Sequence, residues 1–163
     1  MSTDLPAAAK RVQDAAVALG LDVSVREHAV STRTAEDAAR ACGCPVGAIV
    51  KSLVFAGEAS GTPVLFLVSG QNRVDEALAA SAVGEPLARP DAKAVRAWTG
   101  FAIGGIPPFG HDKRLKTFMD EDMLGFEIVW AAAGTPATVF AVAPRALRDA
   151  TDATLTRVTR PAV

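Results

Sequence analysis

Ile49-Val50-Lys51-Ser52-Leu53-Val54-Phe55 is followed, after Gly57–Thr62, by Pro63-Val64-Leu65-Phe66-Leu67-Val68-Ser69. Both stretches are apolar and rich in β-branched residues, the pattern of buried strands, which predicts strands over 48–56 and 63–69. The loop between them has a length compatible with a hairpin. Lys51 puts one ammonium inside the first strand. It is either an edge residue whose stem packs while its head reaches water, or a charge kept for work.

Outward from this pair, helices and strands interleave. Pro6, Val12, Ala16, Leu19 and Gly20 predict a helix over 5–20. Leu21, Val23 and Val25 alternate with Asp22, Ser24 and Arg26, which reads as a half-buried strand. Thr34 and Asp37 resemble a capping box before an Ala-rich helix ending near Gly43. Asn72 is a candidate cap for a helix over 73–83, and Asp91 for one over 92–99 that stops at Gly100. Strands are expected at 126–131, 137–142 and 154–158, with a turn at Gly134–Pro136 and a short helix from Pro144. Because several strands follow one another directly, the expected class is α/β with a mixed sheet packed by helices.

The bulk composition narrows the possibilities. A chain of 163 residues is expected to form a single domain, 1–163, burying about two-thirds of its unfolded surface. Half of the residues are hydrophobic and 21% charged, as in globular proteins. A net charge of −1 argues against coating nucleic acid by charge alone, while leaving room for a nucleic acid held by a local basic strip. Residues 1–20 contain Asp4, Lys10, Arg11 and Asp14 and lack a continuous apolar core, so no signal peptide is read there. No apolar run approaches a membrane span, and a cytoplasmic protein is expected.

Common catalytic patterns are missing. The chain has no G-x-S-x-G elbow, no H-E-x-x-H and no G-x-x-x-x-G-K loop. Cys42 and Cys44 are too close in sequence for a good disulfide, form no zinc ligand set and read as packing residues. No metal or cofactor is expected. What stands out is Gly104-Gly105-Ile106-Pro107-Pro108-Phe109-Gly110-His111. Its prolines fix the backbone and its glycines let a ligand approach main-chain groups. That combination suits catalysis by oriented backbone donors.

Four segments together, Thr34–Ala39, Ile49–Phe55, Gly104–His111 and Ala133–Pro136, resemble the YbaK/EbsC family of free-standing aminoacyl-tRNA deacylases, related to the editing domain of bacterial prolyl-tRNA synthetase. The resemblance spans roughly residues 20 to 160. It implies a curved, barrel-like mixed sheet and hydrolysis of the ester on a mischarged tRNA. The implied substrate is tRNA-Pro carrying Ala, Cys or 2-aminobutyrate, with prolyl-tRNA synthetase as a possible partner. Such editing has a physical need, since a missing methylene supplies only about 1–3 kcal/mol of discrimination.

By the same resemblance, Lys51 matches the essential lysine, which engages the terminal adenosine or its phosphate. Gly104 to Pro108 matches a G-x-x-x-P motif that holds the reacting end, with Gly104 catalytic and Gly105, Ile106 and Pro108 against the substrate. Ser52 and Gly134 are implied substrate contacts; a subgroup carries serine where this chain has Ala132. The attacking water is implied to be oriented by backbone groups and the substrate's ribose hydroxyl. His111 reads either as a pocket-rim hydrogen-bonding group or as a local structural contact. Lys113, Arg114 and Lys116 read either as a solvated face or as the strip that meets tRNA phosphates. Two rival functions share these residues: hydrolysis of small-molecule esters or thioesters, and non-catalytic binding of tRNA or a synthetase.

Overall fold

In the computed structural model, which describes residues 4–29 and 32–162, the predicted hairpin anchors the sheet. Strands β2 (Ile49–Gly57) and β3 (Pro63–Ser69) pair antiparallel from Val50↔Ser69 to Ala56↔Pro63. Every residue of β3 is buried. Leu65 and Leu67 face the larger apolar cluster, while Val64, Phe66 and Val68 face a second one with Phe55 and Phe118. Burial on both faces explains why this strand reads as a continuous apolar run rather than an alternation.

The remaining strands are β1 (Arg26–Glu27), β4 (Asn72–Val74), β5 (Leu87–Ala88), β6 (Lys116–Asp120), β7 (Val129–Ala132), β8 (Thr138–Val142), β9 (Thr154–Thr156) and β10 (Thr159–Pro161). The main sheet runs β1-β8-β7-β2-β3-β6-β9, with β5 also on β2; β4 and β10 form a separate pair. The β2/β7, β3/β6 and β6/β9 pairs are parallel and the others antiparallel. The sheet is therefore mixed, as expected. Among the described residues no ladder joins β1 to β9, so the barrel-like sheet is not found as a closed barrel.

The helices are α1 (Ala7–Ala18), α2 (Ala35–Cys42), α3 (Glu76–Val83), α4 (Ala92–Thr99) and α5 (Pro144–Thr151). Thr34 caps α2 by accepting from the Asp37 N–H, and Asp91 caps α4 through Ala94; Gly43 and Gly100 end them in left-handed conformations. The expected helix over 73–83 begins later. Asp75, not Asn72, caps it, and Asn72 sits buried at the start of β4. Of the strand expected over Leu21–Arg26, only the end forms: β1 begins at Arg26, and residues 21–25 are not strand. The Gln13 side chain donates to the Val23 carbonyl and accepts from the Val25 N–H, satisfying backbone groups that would otherwise need a partner strand.

β3 occupies one edge of β2 along its length, but the other edge is only partly covered. There, β7 pairs with Ile49 and Val50, and β5 pairs with Ala56 and Gly57. Residues 51–55 have no strand on that edge among the described residues. Lys51 stands at the start of this gap.

Candidate active site

Facing the gap is a cavity of about 290 Å3 lined by β2 residues Ile49 to Leu53, by Thr32 to Ala35 before and within α2, and by Ile103, Gly104 and Ile106. Trp130, Thr135, Pro136, Thr138 and Val139 complete its far wall. No carboxylate, imidazole or thiol belongs to the described lining. Its chemistry is that of one ammonium, one guanidinium (Arg33), hydroxyls and main-chain groups.

The Lys51 ammonium is half-buried and donates to the Asn72 carbonyl. It has no carboxylate in salt-bridge contact among the described residues. Burial pushes its pKa below the ordinary lysine value, against the opposing pull of the Glu36 and Asp120 charges. The tether is itself fixed. The Asn72 amide donates to Asp120 Oδ2 at 2.9 Å and to Asp122 Oδ2 at 2.7 Å, and the Ser69 N–H donates to the same Asp120 oxygen. Asp120 is 2% exposed, so a buried, fully partnered carboxylate holds the residue that holds Lys51.

Beside the lysine, the buried Ser52 hydroxyl has no hydrogen-bond partner. Buried hydroxyls are nearly always partnered, so an orphan in a cavity wall marks a place where a ligand or water group fits. Ser52 also lines a second cavity, of about 380 Å3, which shares Leu53, Ile103 and Ile106 with the first.

The glycine–proline loop divides its residues between several duties. Gly104, at φ +99°, has only Pro136 Cγ near its missing side chain, at 3.6 Å, and it opens on the Lys51 cavity. Ile106 lines both cavities. Gly105 instead faces the neighbouring turn: a Cβ there would lie 2.6 Å from Thr135 Cα. Its carbonyl accepts from the Gly134 N–H at 2.9 Å, and a Cβ on Gly134 would fall 2.8 Å from the Ala8 carbonyl oxygen. These two glycines clamp the loop to the 134–136 turn and that turn to α1, and neither lines the Lys51 cavity.

Pro108 and His111 lie in a different cavity, with Leu19, Arg114, Leu115 and Thr151. His111 Nε2 donates to the Pro107 carbonyl at 2.7 Å and its ring meets Phe101 edge-on. Burial lowers its pKa despite that hydrogen bond and the nearby Asp112. Lys113, Arg114 and Lys116 also stand outside the Lys51 cavity. Arg114 reaches toward Asp152 at 3.9 Å, and Lys116 opens β6 with its ammonium over the Phe118 ring. Cys42 Sγ lies 3.8 Å from His28 Nε2, and burial, then the neighbouring Cys44, pushes its pKa up to about 11, which disfavours the reactive thiolate.

Of the residues singled out in the sequence, the structure thus brings Lys51, Ser52, Gly104 and Ile106 around one cavity. Sequence reasoning missed Arg33, Trp130 and Thr138 in its lining. Thr34 was legible as a helix cap and as part of the Thr34–Ala39 segment, and Trp130 and Thr138 only as strand residues; their facing a common space depends on the parallel β2/β7 pairing.

Residues 29–150 match the family model of the aminoacyl-tRNA editing domain. Among curated proteins, the uncharacterized protein YwhH of Bacillus subtilis (strain 168) is 28% identical over 125 residues, covering 77% of this chain and 79% of that protein. EbsC of Enterococcus faecalis (strain ATCC 700802 / V583), provisionally named a Cys-tRNA(Pro)/Cys-tRNA(Cys) deacylase, is 28% identical over 127 residues and 77% of each chain. A crystal structure provisionally described as a trans-editing enzyme for prolyl-tRNA synthetase superposes with a TM-score of 0.91 at 47% identity, over 96% of this chain and 99% of that one. The hypothetical protein APE2540 superposes with a TM-score of 0.85 at 26% identity, over 92% and 99%. With a lysine, an orphan hydroxyl and a glycine loop around one cavity, and the editing-domain match over most of its length, the chain belongs to the YbaK/EbsC family of aminoacyl-tRNA deacylases.

Proposed function

We propose that this protein is a trans-acting editing enzyme that removes a small amino acid from mischarged tRNA, tRNA-Pro being the preferred carrier. The observation that supports this most is the convergence of Lys51, Ser52 and Gly104 on a cavity whose described lining contains no general base. In this reading a water attacks the ester carbonyl carbon, and the terminal ribose hydroxyl beside the ester orients that water. The tetrahedral oxyanion collapses, the bond to the ribose oxygen breaks, and that oxygen takes up a proton as the amino acid leaves. Lys51 anchors the terminal adenosine or its phosphate, which fixes the ester at the mouth of the cavity. Gly104 exposes its backbone to the reacting end, and Ser52 gives its free hydroxyl to the substrate.

Ile103, Ile106 and Val139 bound the space for the amino-acid side chain. That fits alanine, cysteine or 2-aminobutyrate and spares proline. Gly105 and Gly134 act by holding the wall in place. Pro108 and His111 brace the loop from its other side, and Lys113, Arg114 and Lys116 meet tRNA phosphates beyond the cavity. The reaction is metal-independent and cytoplasmic, carried by one domain, 1–163, with prolyl-tRNA synthetase as a possible partner. Among the described residues no helix is long and apolar enough to cross a membrane.

The test is a deacylation panel of alanyl-, cysteinyl-, seryl-, 2-aminobutyryl- and prolyl-tRNA with purified protein. We expect turnover of the small amino acids, sparing of prolyl-tRNA and loss of turnover in Lys51→Ala. Equal activity on free amino-acid esters would favour a small-molecule hydrolase. Binding of tRNA without turnover, unchanged in Lys51→Ala, would leave only a binding module.

A further inference from the structure

The second cavity carries a charge pattern that the hydrolytic site does not use. Arg73, Arg89 and Arg160 line it, against the single carboxylate of Glu76. Arg89 pairs with Glu76 at 3.3 Å. Arg73 and Arg160 have no carboxylate partner among the described residues, and they stand directly opposite each other in the β4–β10 ladder. Like charges in direct register destabilise a strand pair. Two exposed arginines in direct register, on a chain of net charge −1, are stabilised when an anion lies between them. The floor beneath them is apolar, made of Val54, Phe55, Val74 and Val95.

We infer that this cavity is a phosphodiester site, in which Arg73 and Arg160 hold the single-stranded 3′ end of the tRNA just upstream of the terminal adenosine. The inference rests on the deacylase reading and extends it to the next nucleotide. Guanidinium forks match phosphate oxygens two at a time, and an apolar floor accepts the face of a base. Continuity supports the placement. The two cavities share Ser52, Leu53, Ile103 and Ile106, so a strand whose last residue lies beside Lys51 passes directly into the second. Arg73 also follows Asn72, whose carbonyl tethers Lys51, so one short strand sets the distance between ammonium and guanidinium.

The test compares wild type with the double variant Arg73→Gln/Arg160→Gln on three probes: alanyl-tRNA, 3′-O-alanyl-adenosine, which lacks any internucleotide phosphate, and a short uncharged single-stranded RNA ending in CCA. On alanyl-tRNA, kcat/KM should fall about tenfold through KM, as expected for lost ground-state binding. Hydrolysis of alanyl-adenosine should be unchanged. For the RNA, the slope of log affinity against log salt should flatten by about 0.7, the share of one single-strand phosphate. Wild-type behaviour of the variant on tRNA and RNA would overturn the inference. So would an equal loss on alanyl-tRNA and alanyl-adenosine, which would put the arginines in service of the hydrolytic cavity or the fold. If wild type turns over neither ester, the deacylase reading fails, while the RNA arm still decides the arginine site. Should the double variant lose the wild-type melting transition, Arg160→Gln alone, on the C-terminal strand, carries the same comparison at half the slope change.

Discussion

Lys51 donates its ammonium to the main-chain carbonyl of Asn72, not to a carboxylate. A carbonyl orients the cation without cancelling its charge, so the full positive charge stays available to a substrate anion. Removing it should cost what a charge-assisted hydrogen bond contributes, roughly 1.5–3 kcal/mol, or about 10- to 150-fold in kcat/KM. Single-turnover deacylation by Lys51→Ala checks this; a rate near that of wild type would remove the lysine from the mechanism.

The pH profile should carry the signature of the same burial. In the proposed mechanism the cation is the working form, and desolvation lowers its pKa, so the proton leaves at a lower pH than from a solvated lysine. Activity should therefore decline on the alkaline side below the ordinary lysine range, after subtraction of spontaneous ester hydrolysis. In Lys51→Ala that limb should vanish from whatever activity is left. An unchanged alkaline limb in the variant would assign it to another group.

Asp120 should matter to stability more than its distance from the cavity suggests. Asp120→Ala leaves the buried Ser69 N–H and the Asn72 amide each short of an acceptor, a loss of about 2–4 kcal/mol. Chemical denaturation measures it. Because the Lys51 tether loosens too, kcat should fall in the molecules that remain folded. A stability change within about 0.5 kcal/mol would mean that the network rearranges without cost.

The loop offers a separation of roles by substitution. Gly105→Ala drives a methyl into the Thr135 backbone and should slow every substrate alike while lowering the melting temperature, as overpacking does at about 1–3 kcal/mol. Ile106→Ala should instead enlarge both cavities and admit bulkier amino acids. Discrimination ratios across the aminoacyl-tRNA panel distinguish the two. A size-dependent defect in Gly105→Ala would place that glycine against the substrate after all.

Hydrolysis should survive thorough chelation, because the described residues contain no group of three or more His, Cys, Asp or Glu placed to hold a metal ion. Activity lost to chelator and restored by zinc would reveal ligands drawn from elsewhere.

The hairpin and the helix caps could be read locally because each depends on neighbours in sequence. The unbroken apolar run Pro63–Val68 in β3 needs burial on both faces, and Thr34 and Asp91 announce the first turns that they cap. The segment at 21–25 misled because its backbone partner is a side chain, Gln13, and no periodicity encodes that. Asn72 misled for the converse reason: a residue suited to capping was taken into a buried network assembled from Ser69, Asp120 and Asp122. β4 and β10, three residues each, carry too few apolar positions for any pattern. Within the site, Lys51 and Gly104 were visible as an odd charge and a glycine motif. The division of labour between Gly104 and Gly105 was not, since it depends on which way each missing side chain faces the distant 134–136 turn.

The stretch of β2 between its pairings with β7 and β5 bears on solubility. An unpaired strand edge is an invitation to other strands, and proteins usually blunt such edges to escape aggregation. Here the opening is five residues long, about 17 Å at strand spacing, and it is stopped at both ends by the molecule's own strands. Self-pairing would have to start and stop inside that span, which disfavours a long ladder between copies. The protein's own strands thus guard the edge that faces its cavity.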